Sequence, residues 1–334
     1  MSTLQKLTHK ELIKLAHKKC IPPLLSTFHK GQTGRVCIIG GCEDYTGAPY
    51  FSANATALMG CDLTHVICER QAAPVIKSYT PNLMVHPYLS DNFNEYPSDL
   101  NKIKGLLERM HAIVLGPGLG RNENMFFDCK EIIKFILEEH NGSIPMIIDA
   151  DGLYLLSTDK DAQNLIKRFP SGKIILTPNV VEFERLFSSV FPNEEKKKLS
   201  HPDKVALISK AFNCIVFGKG ESDFIAFNSG DDSILLQNSI EGSNKRVGGQ
   251  GDTLTGTIAC MLAYSRSIHD LKLYTPDESD SISLTWVEYA MLSSYVGSTI
   301  TRTCSKLAYE EKGRAMQTTD MNNYVGKVFE QLFF

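Results

Sequence analysis

The sequence predicts an α/β fold in which a mostly parallel sheet is covered by helices on both faces. Short β-branched apolar runs alternate with segments of helical periodicity, which is the pattern of repeated strand–helix–strand units. Several runs are apolar without alternation, as expected for strands that are buried on both faces. Past Phe217 the pattern changes to a hairpin and two long helices, without a convincing linker. We therefore expect a single domain over residues 1–334, with its core at about 12–331.

Each element is predicted from its own run of residues. Strands are expected at residues 35–39, 64–68, 83–86, 112–115, 146–149, 173–176, 214–217, 224–227 and 233–236, the last two forming the hairpin. Helices are expected at residues 48–60, 101–109, 125–139 and 204–212, from the glycines at 248 through 263, and at about 286–303 as the last helix. Polar, proline-bearing stretches at 188–202 and 273–281 are interpreted as surface loops.

The first 22 residues are expected to form a helix and a connector that pack on the domain. Apolar side chains recur among several lysines, and Pro22-Pro23 would end the helix. An amphipathic targeting peptide is the alternative, although the segment lacks arginine and the apolar core of a secretory signal.

Composition and charge argue against several classes of protein. A net charge of −3 provides no overall basic field for nucleic acid or an anionic membrane. The run Lys196-Lys197-Lys198, preceded by two glutamates, is interpreted as a solvated loop face. No apolar stretch approaches the roughly 20 residues of a membrane helix. The nine cysteines include no Cys-x-x-Cys pair, so neither a zinc ribbon nor a redox motif is indicated. We expect a cytosolic protein, with an organellar copy left open.

Unusual residues follow the predicted strands, where parallel α/β sheets bind ligands. Gly40-Gly41 permits close approach of a ligand, or simply a turn. The loop Gly116-Pro-Gly-Leu-Gly ends before Arg121, but its spacing is wrong for a dinucleotide fingerprint and no tight helical periodicity follows at once. We favour a backbone loop lining a ligand cleft.

Acidic and amide side chains follow the next two strands. We favour the interpretation that Asp151 caps a helix at 152–157. For Asp149, a structural role, metal binding and acid–base catalysis all remain possible. Thr177 or Asn179 could cap a helix that begins near Val181. Asn179 and Glu182, one turn apart, could instead hold a polar ligand.

The last two segments point to phosphate chemistry. Lys219, between two glycines, can reach a phosphate, or it is an ordinary surface lysine. Gly248-Gly249-Gln250-Gly251-Asp252 opens a helix whose first N–H groups attract an anion. There we expect Asp252 to be ionised, so that it accepts a hydroxyl proton while the N–H groups hold a transferring phosphoryl. The alternative is a capping aspartate after a flexible loop.

At this segment the chain resembles the ribokinase-like superfamily, whose members share a Gly-x-Gly-Asp anion hole and base before a helix. More specific is an ordered set of motifs that resembles the ATP- or ADP-dependent (S)-NAD(P)H-hydrate dehydratases: Gly116-Pro-Gly-Leu-Gly, Asp149-Ala-Asp-Gly, Thr177-Pro-Asn, Glu182-Phe, Lys219-Gly and Gly249-Gln-Gly-Asp. Residues 72–77 and 83–87 resemble the eukaryotic branch, which favours ATP over ADP. The resemblance implies a ribokinase-like three-layer α/β/α sandwich.

The resemblance also implies a repair reaction with assigned residues. The family phosphorylates the C6 hydroxyl of hydrated NAD(P)H from a nucleotide and lets phosphate leave, and Asp252 would be the base. The residues implied to hold the hydrate are Gly118, Asn179, Val180, Val181, Glu182, Phe183, Glu184, Arg185 and Asp252. Those implied to hold ATP are Lys219, Gly220, Glu221, Ser222, Asp223, Val247, Gly248, Gly249, Gln250 and Gly251. Mg²⁺ is expected on the phosphates, with protein ligands unassigned, and a homo-oligomer stays open.

Two rival functions remain at this stage. A kinase of the same fold would phosphorylate the hydroxyl of a vitamin precursor and stop there. A non-catalytic nucleotide-binding regulator would keep the fold, but binding alone needs no base at Asp252.

Overall fold

One mixed sheet of nine strands forms the centre of the part of the chain that the computed structural model describes, residues 2–192, 199–230, 232–274 and 283–334. The strands are β1 (Arg35–Ile39), β2 (Leu63–Glu69), β3 (Met84–Leu89), β4 (Ala112–Leu115), β5 (Met146–Ile148), β6 (Ile174–Leu176), β7 (Ile215–Gly218), β8 (Asp223–Ser229) and β9 (Asp232–Asn238). Their order is β3-β2-β1-β4-β5-β6-β7-β8-β9. All pairs from β3 to β7 are parallel, and β8 and β9 form the predicted antiparallel hairpin.

Helices cover both faces of this sheet. They are α1 (His9–Cys20), α2 (Gly47–Leu58), α3 (Ala72–Tyr79), α4 (Leu100–Leu107), α5 (Glu123–Glu139), α6 (Ala150–Thr158), α7 (Lys160–Lys167), α8 (Val180–Val190), α9 (His201–Phe212), α10 (Gln250–His269), α11 (Trp286–Lys312) and α12 (Thr318–Phe333), with 3-10 turns at Thr3–Lys6 and Gly313–Ala315. None of the helices described here has an apolar stretch long enough to cross a membrane.

Alternate residues of the strands enter two separate hydrophobic cores. Val36 and Ile38 of β1 pack in a core with α1, α2, α3, α10, α11 and α12. Cys37 and Ile39 of the same strand pack on the opposite face with α4 to α9. Side chains of a strand point alternately to its two faces, so a continuous apolar run serves both cores. The predicted three-layer α/β/α fold is confirmed.

The predicted N-terminal helix is present as α1. Thr8 and Glu11 form a capping box at its start, and Pro22 and Pro23 follow its end. Its apolar side chains are buried, and His9 Nδ1 lies 2.9 Å from the Tyr295 hydroxyl of α11.

Several predicted boundaries were wrong. The final predicted helix does not end near residue 303 but continues to Lys312, and α12 follows it with Met321, Val325 and Phe329 buried at helical spacing. Helices α3 and α7, of eight residues each, were not predicted. The predicted loop at 188–202 begins and ends inside α8 and α9, and Lys196-Lys197-Lys198 lies outside the described residues, as does most of 273–281.

Candidate active site

Five loops meet at the carboxyl edge of the sheet. Gly40, Gly116, Asp149, Thr177 and Lys219 each come directly after one of the parallel strands β1, β4, β5, β6 and β7. These strands are neighbours in the sheet, so their loops lie side by side. The loops therefore form one edge, as expected for ligand binding in an open parallel sheet.

The glycines before α10 create a set of free N–H donors. Gly249 has φ +95°, and a Cβ there would lie 2.7 Å from Phe51 Cδ2, so the position requires glycine. Among the described residues, the N–H groups of Gly251 and Asp252 have no hydrogen-bond acceptor. Unpaired N–H groups at the start of a 20-residue helix attract an anion. These two free N–H groups lie where the anion hole is predicted.

Asp252 lies in the first turn of α10 and is only 9% exposed. Burial, followed by the charges of Asp149 and Glu182, raises its pKa to about 8, although Lys219 opposes the increase. The expectation that its surroundings favour ionisation was wrong, because burial and two neighbouring carboxylates outweigh the helix terminus. A carboxyl with this pKa is matched to proton transfer near neutral pH.

Lys219 is held beside the anion hole by a buried carboxylate. Its Nζ donates to Asp149 Oδ1 at 2.9 Å, and the Thr177 hydroxyl donates to the same oxygen at 2.9 Å. Burial lowers the pKa of Lys219, but the charges of Asp149 and Glu182 more than compensate and raise it overall. A Cβ at Gly251 would lie 3.2 Å from Lys219 Nζ, so the ammonium group adjoins the start of α10. The positive charge of Lys219 therefore lies beside the free N–H groups at the start of α10.

Asp149 and Asp151 point to different partners because the residue between them has left-handed backbone geometry. Ala150 has φ +47°, which is uncommon for alanine. Asp149 is the N-terminal flanking residue of α6 and turns to Lys219, whereas Asp151 Oδ2 accepts a hydrogen bond from Gly120 N–H at 3.0 Å. The prediction that Asp151 caps a helix at 152–157 was wrong: α6 already begins at Ala150, and Asp151 instead orders the glycine loop after β4.

That glycine loop leads almost directly into a helix. α5 begins at Glu123, two residues after Arg121, and the Asn122 side chain caps it by accepting from Asn124 N–H at 2.8 Å. The helix predicted at 125–139 therefore begins two residues earlier, because the capping residue Asn122 lies before the first apolar residue, Met125.

Asn179 is the cap of α8. Its side-chain oxygen accepts from the N–H groups of Val181 and Glu182, both at 3.0 Å, and Glu182 Oε2 accepts from Asn179 N–H at 2.8 Å. Burial and the charge of Asp149 raise the pKa of Glu182. Of the two residues predicted to cap this helix, Asn179 is the cap, whereas the Thr177 hydroxyl donates a hydrogen bond to Asp149.

The remaining residues of the α8 stretch face different surroundings. Val180 and Val181 are exposed by 61% and 67%, whereas Phe183 is buried against Phe187 and His201 in the hydrophobic core. Glu184 pairs with Lys204 at 2.8 Å, and Arg185 lies over the ring of Tyr154, with Cζ 5.2 Å from the centroid. The side chain of Phe183 therefore lies away from the open cleft.

Two large cavities meet at the first turn of α10. The first, of about 770 Å³, is lined by Asp252, Gly118 and the loops around Tyr45, Arg121 and Asp151. The second, of about 520 Å³, is lined by residues predicted for ATP together with others: Asn179, Val180, Lys219, Gly220, Glu221, Asp223, Arg246, Val247, Gln250, Gly251, Leu254, Thr301 and Arg302. Asn179 and Val180, predicted for the hydrate, thus line the same cavity as the predicted ATP residues. Gly248 lines a smaller cavity of about 420 Å³ beside Arg246.

Arg302 of α11 orders the loop at 219–223 and was missed by the sequence analysis. Its guanidinium pairs with Asp223 at 3.3 Å and donates to the carbonyls of Gly220 and Glu221. Asp223 also accepts from Gly220 N–H at 3.2 Å, so this side chain shapes the loop. The Ser222 hydroxyl lies 2.9 Å from that of Ser239. Nothing near Arg302 in the sequence resembles a motif, so only the packing of α11 across the hairpin reveals it.

The described residues contain no group of three or more His, Cys, Asp or Glu side chains arranged to hold a metal ion. The acids nearest the anion hole are Asp149, Glu182 and Asp252, which influence one another's charge. Asp149 is occupied by Lys219 and Thr177.

Comparison with known proteins places this site in a family. A model of the NAD(P)H-hydrate dehydratases matches residues 36–327, which include all five loops and α10. The chain belongs to the NAD(P)H-hydrate dehydratase family. It is similar to the ATP-dependent (S)-NAD(P)H-hydrate dehydratase of Saccharomyces cerevisiae, with 58% identity over 340 residues, 99% of each chain. The family predicted from the ordered motifs is confirmed.

Two solved structures share this fold at lower sequence identity. A ribokinase-like protein of Enterococcus faecalis superposes with a TM-score of 0.68 and 23% identity, covering 97% of this chain and 95% of its own. The ADP/ATP-dependent NAD(P)H-hydrate dehydratase of Bacillus subtilis, co-crystallised with ATP and Mg²⁺, has a TM-score of 0.65 and 22% identity over 96% of this chain and 97% of its own.

Proposed function

We propose that this protein uses ATP to dehydrate the (S)-hydrates of NADH and NADPH, restoring NADH and NADPH with release of ADP and phosphate. The observation that carries the proposal is the position of Asp252, a carboxyl of raised pKa beside free helix N–H groups, where two cavities meet. One cavity would take the hydrate and the other ATP. A relative of 58% identity bears the name of this activity.

The first chemical step transfers a phosphoryl group to the hydrate. Asp252 accepts the proton of the C6 hydroxyl, and the hydroxyl oxygen attacks the γ-phosphorus of ATP as the bond to ADP breaks. The N–H groups of Gly251 and Asp252 and the ammonium of Lys219 stabilise the charge on the transferring group. The C6 phosphate then leaves with its C–O electron pair and the adjacent ring carbon loses a proton, which forms the ring double bond.

Magnesium fits this site as a companion of ATP. Mg²⁺ prefers phosphate oxygens and water with one or two carboxylates, and the described residues offer no cage of three acids. Glu182, an acid near Lys219 and Asp252, is the side chain that would approach it from the protein. When bound, the ion would neutralise phosphate charge during the transfer.

The cysteines support a reducing location. All nine thiols are free, and eight of them are buried as small apolar side chains. We place the protein in the cytosol on this basis. The continuous sheet from β3 to β9 supports the interpretation of the chain as one domain.

The decisive experiment incubates purified protein with NADH hydrate, ATP and magnesium and follows the absorbance of the reduced nicotinamide. We expect recovery that requires ATP and releases equal amounts of ADP and phosphate. Asp252→Asn should abolish turnover and leave nucleotide binding, measured by calorimetry, nearly unchanged. A stable phosphorylated product without recovered absorbance would favour a kinase of this fold instead, and ATP binding without any reaction would favour a regulator.

A further inference from the structure

The proposed reaction removes two protons from the hydrate, one from the C6 hydroxyl and one from the neighbouring ring carbon C5. Asp252 accepts the first of them during phosphoryl transfer. Burial and the charges of neighbouring acids raise the pKa of Asp252 to about 8, so at neutral pH this carboxyl keeps the proton while the phosphate leaves. The C5 proton therefore needs a different acceptor.

The cavity of about 770 Å³ that Asp252 lines contains several candidate acceptors. The Asp252 side chain is only 9% exposed and forms no hydrogen bond with the described residues, so it is free to contact a ligand in this cavity. Four other carboxylates line the same cavity, from Glu43, Asp44, Asp91 and Asp151. Since all four side chains are acids, their positions in the fold distinguish them.

The order of the strands places Asp151 nearest to the reacting group. The three side chains whose charges act on Asp252 belong to segments that follow β5, β6 and β7, and Asp151 belongs to the segment after β5. Asp91 follows β3, four strands away in the sheet, which is roughly 19 Å at about 4.8 Å per strand. Glu43 and Asp44 follow β1, two strands away, and their side chains are exposed.

Asp151 is held in a fixed orientation at the wall of the cavity. Its Oδ2 accepts from Gly120 N–H at 3.0 Å, its Oδ1 lies 3.4 Å from Arg121 Nε, and the side chain is 18% exposed. A Cβ at Gly116 would lie 2.5 Å from the backbone nitrogen of Gly152, so the glycine loop packs directly on the segment that carries Asp151. A side chain held in this way pays little to reach a reactive geometry.

We propose that Asp151 is the base that removes the C5 proton as the phosphate leaves. This inference deepens the proposed function and rests on it. The C6–O bond breaks with its electron pair going to the phosphate, and the lone pair of N1 forms an iminium with C6. Asp151 then takes the proton from C5, the C–H electron pair forms the C5–C6 double bond, and N1 regains its lone pair. Until that proton leaves, the ring is positively charged, which a fixed carboxylate stabilises.

The test measures how much ADP is formed for each NADH that Asp151→Asn restores. Without the base, water adds to C6 of the iminium and returns it to the hydrate, so ATP is consumed without recovery of NADH. We expect the ratio of ADP to NADH to rise from one to about ten or more, and NADH formation to fall about 100-fold. Asparagine keeps an oxygen that can accept from Gly120 N–H, so the loop should stay ordered.

Two further variants separate this role from a general effect of charge. Asp44→Asn removes a negative charge from the same cavity, and its ratio of ADP to NADH should stay at one. Asp151→Glu restores a carboxylate, displaced by one methylene group, and should recover part of the coupling. A ratio of one for Asp151→Asn would overturn the proposal and favour the departing phosphate as the acceptor of the C5 proton.

Exchange of the C5 hydrogen of NADH with D2O, followed by NMR in the absence of ATP, separates this inference from the proposed function. A deuteron from Asp151 adds to C5 of bound NADH and the original proton leaves by the same route, so exchange requires no turnover. Faster exchange with the wild type than with Asp151→Asn would support the base even if the wild type failed to dehydrate the hydrate. Equal exchange with both proteins would count against it even in an active enzyme.

Discussion

Lys219 Nζ and Asp149 Oδ1, 2.9 Å apart, connect the loops after β7 and β5 across the intervening strand β6. The loop after β6 joins the same group through Thr177, which donates to Asp149. Three adjacent strand ends thus share one buried carboxylate. Both charges lie beside Asp252, whose pKa Asp149 raises and Lys219 lowers.

Replacement of Asp149 by Asn should therefore change both the rate and its pH dependence. Loss of the negative charge lowers the pKa of Asp252, so the fall of kcat/KM on the acidic side should move to lower pH. Lys219 loses its charged partner, and kcat at the optimum should fall roughly 10- to 100-fold because the ammonium group is misplaced. The full pH profile of kcat/KM provides the measurement.

Thr177→Val is the matched control for that variant. This variant removes one hydrogen bond to Asp149 but keeps the negative charge of Asp149. The fall of kcat/KM on the acidic side should therefore occur at the same pH as in the wild type. A pH profile of kcat/KM for Asp149→Asn that superposes on the wild-type profile would contradict the effect of Asp149 on the pKa of Asp252.

Asp252→Asn should stabilise the fold while it abolishes turnover. The folded pKa of about 8 lies above the ordinary value of 3.8, so the wild type loses stability as pH rises from about 4 to 8. A tenfold difference in proton affinity corresponds to about 1.4 kcal/mol, and asparagine avoids this penalty. Urea unfolding at pH 5, 7 and 9 should show the advantage of the variant growing with pH. A constant difference across this range would contradict the raised pKa.

Gly251→Ala should impair catalysis without unfolding the protein. The added methyl group would lie 3.2 Å from Lys219 Nζ, so the ammonium group must shift by a few tenths of an ångström at the start of α10. We expect kcat to fall about tenfold, because the N–H donor is kept but the displaced ammonium group is positioned less well for the transferring phosphoryl group. Gly248→Ala is the control, because a Cβ there meets no atom within 4 Å. Equal losses in both variants would instead indicate general loosening of the loop.

Arg302→Met should weaken ATP binding more than it slows the chemistry. The side chain holds the carbonyls of Gly220 and Glu221 and pairs with Asp223, so its loss disorders one wall of the second cavity. We expect the KM for ATP to rise about tenfold and the KM for hydrate to stay within about twofold. Lys306→Met, which removes an exposed pair with Glu241, should leave both unchanged.

Acid should destabilise the protein through buried histidines at the opposite edge of the sheet. Burial lowers the pKa of His111 to about 4, helped by the charges of Arg266 and Arg35, and its Nδ1 has no hydrogen-bond partner among the described residues. The unfolded chain binds this proton near pH 6.5, so stability falls as pH drops from about 6.5 to 4. His111→Leu should flatten this part of the stability profile, and an unchanged slope in urea titrations would contradict the assignment.

The sequence predicted the strands and the loop residues well because both depend on local pattern. β1 and β4 were predicted with their observed limits, since short β-branched runs and following glycines mark such strands clearly. The free N–H groups at the start of α10 were predictable for the same reason, because Gly248, Gly249 and Gly251 lie before and at the start of the helix and determine these donors locally.

Features that depend on tertiary contacts were not predictable in the same way. The pKa of Asp252 depends on carboxylates from two other loops, which a single segment does not reveal. Arg302 reaches the loop at 219–223 only because α11 packs across the hairpin. Asp151 was misassigned because α6 begins at the left-handed Ala150, two residues before the predicted start. Pattern thus predicts which residues come after strands, and packing decides their partners.

The first turn of α10 stands between the two cavities, with Asp252 on the first and Gly251 on the second. Under the proposed function, the hydrate would occupy the first cavity and ATP the second, so neither ligand would have to pass the other to bind. Initial-rate plots should show intersecting lines, with ATP and hydrate binding in either order before any product departs. The phosphoryl group would pass directly between them in the ternary complex, without a phosphorylated side chain as an intermediate carrier.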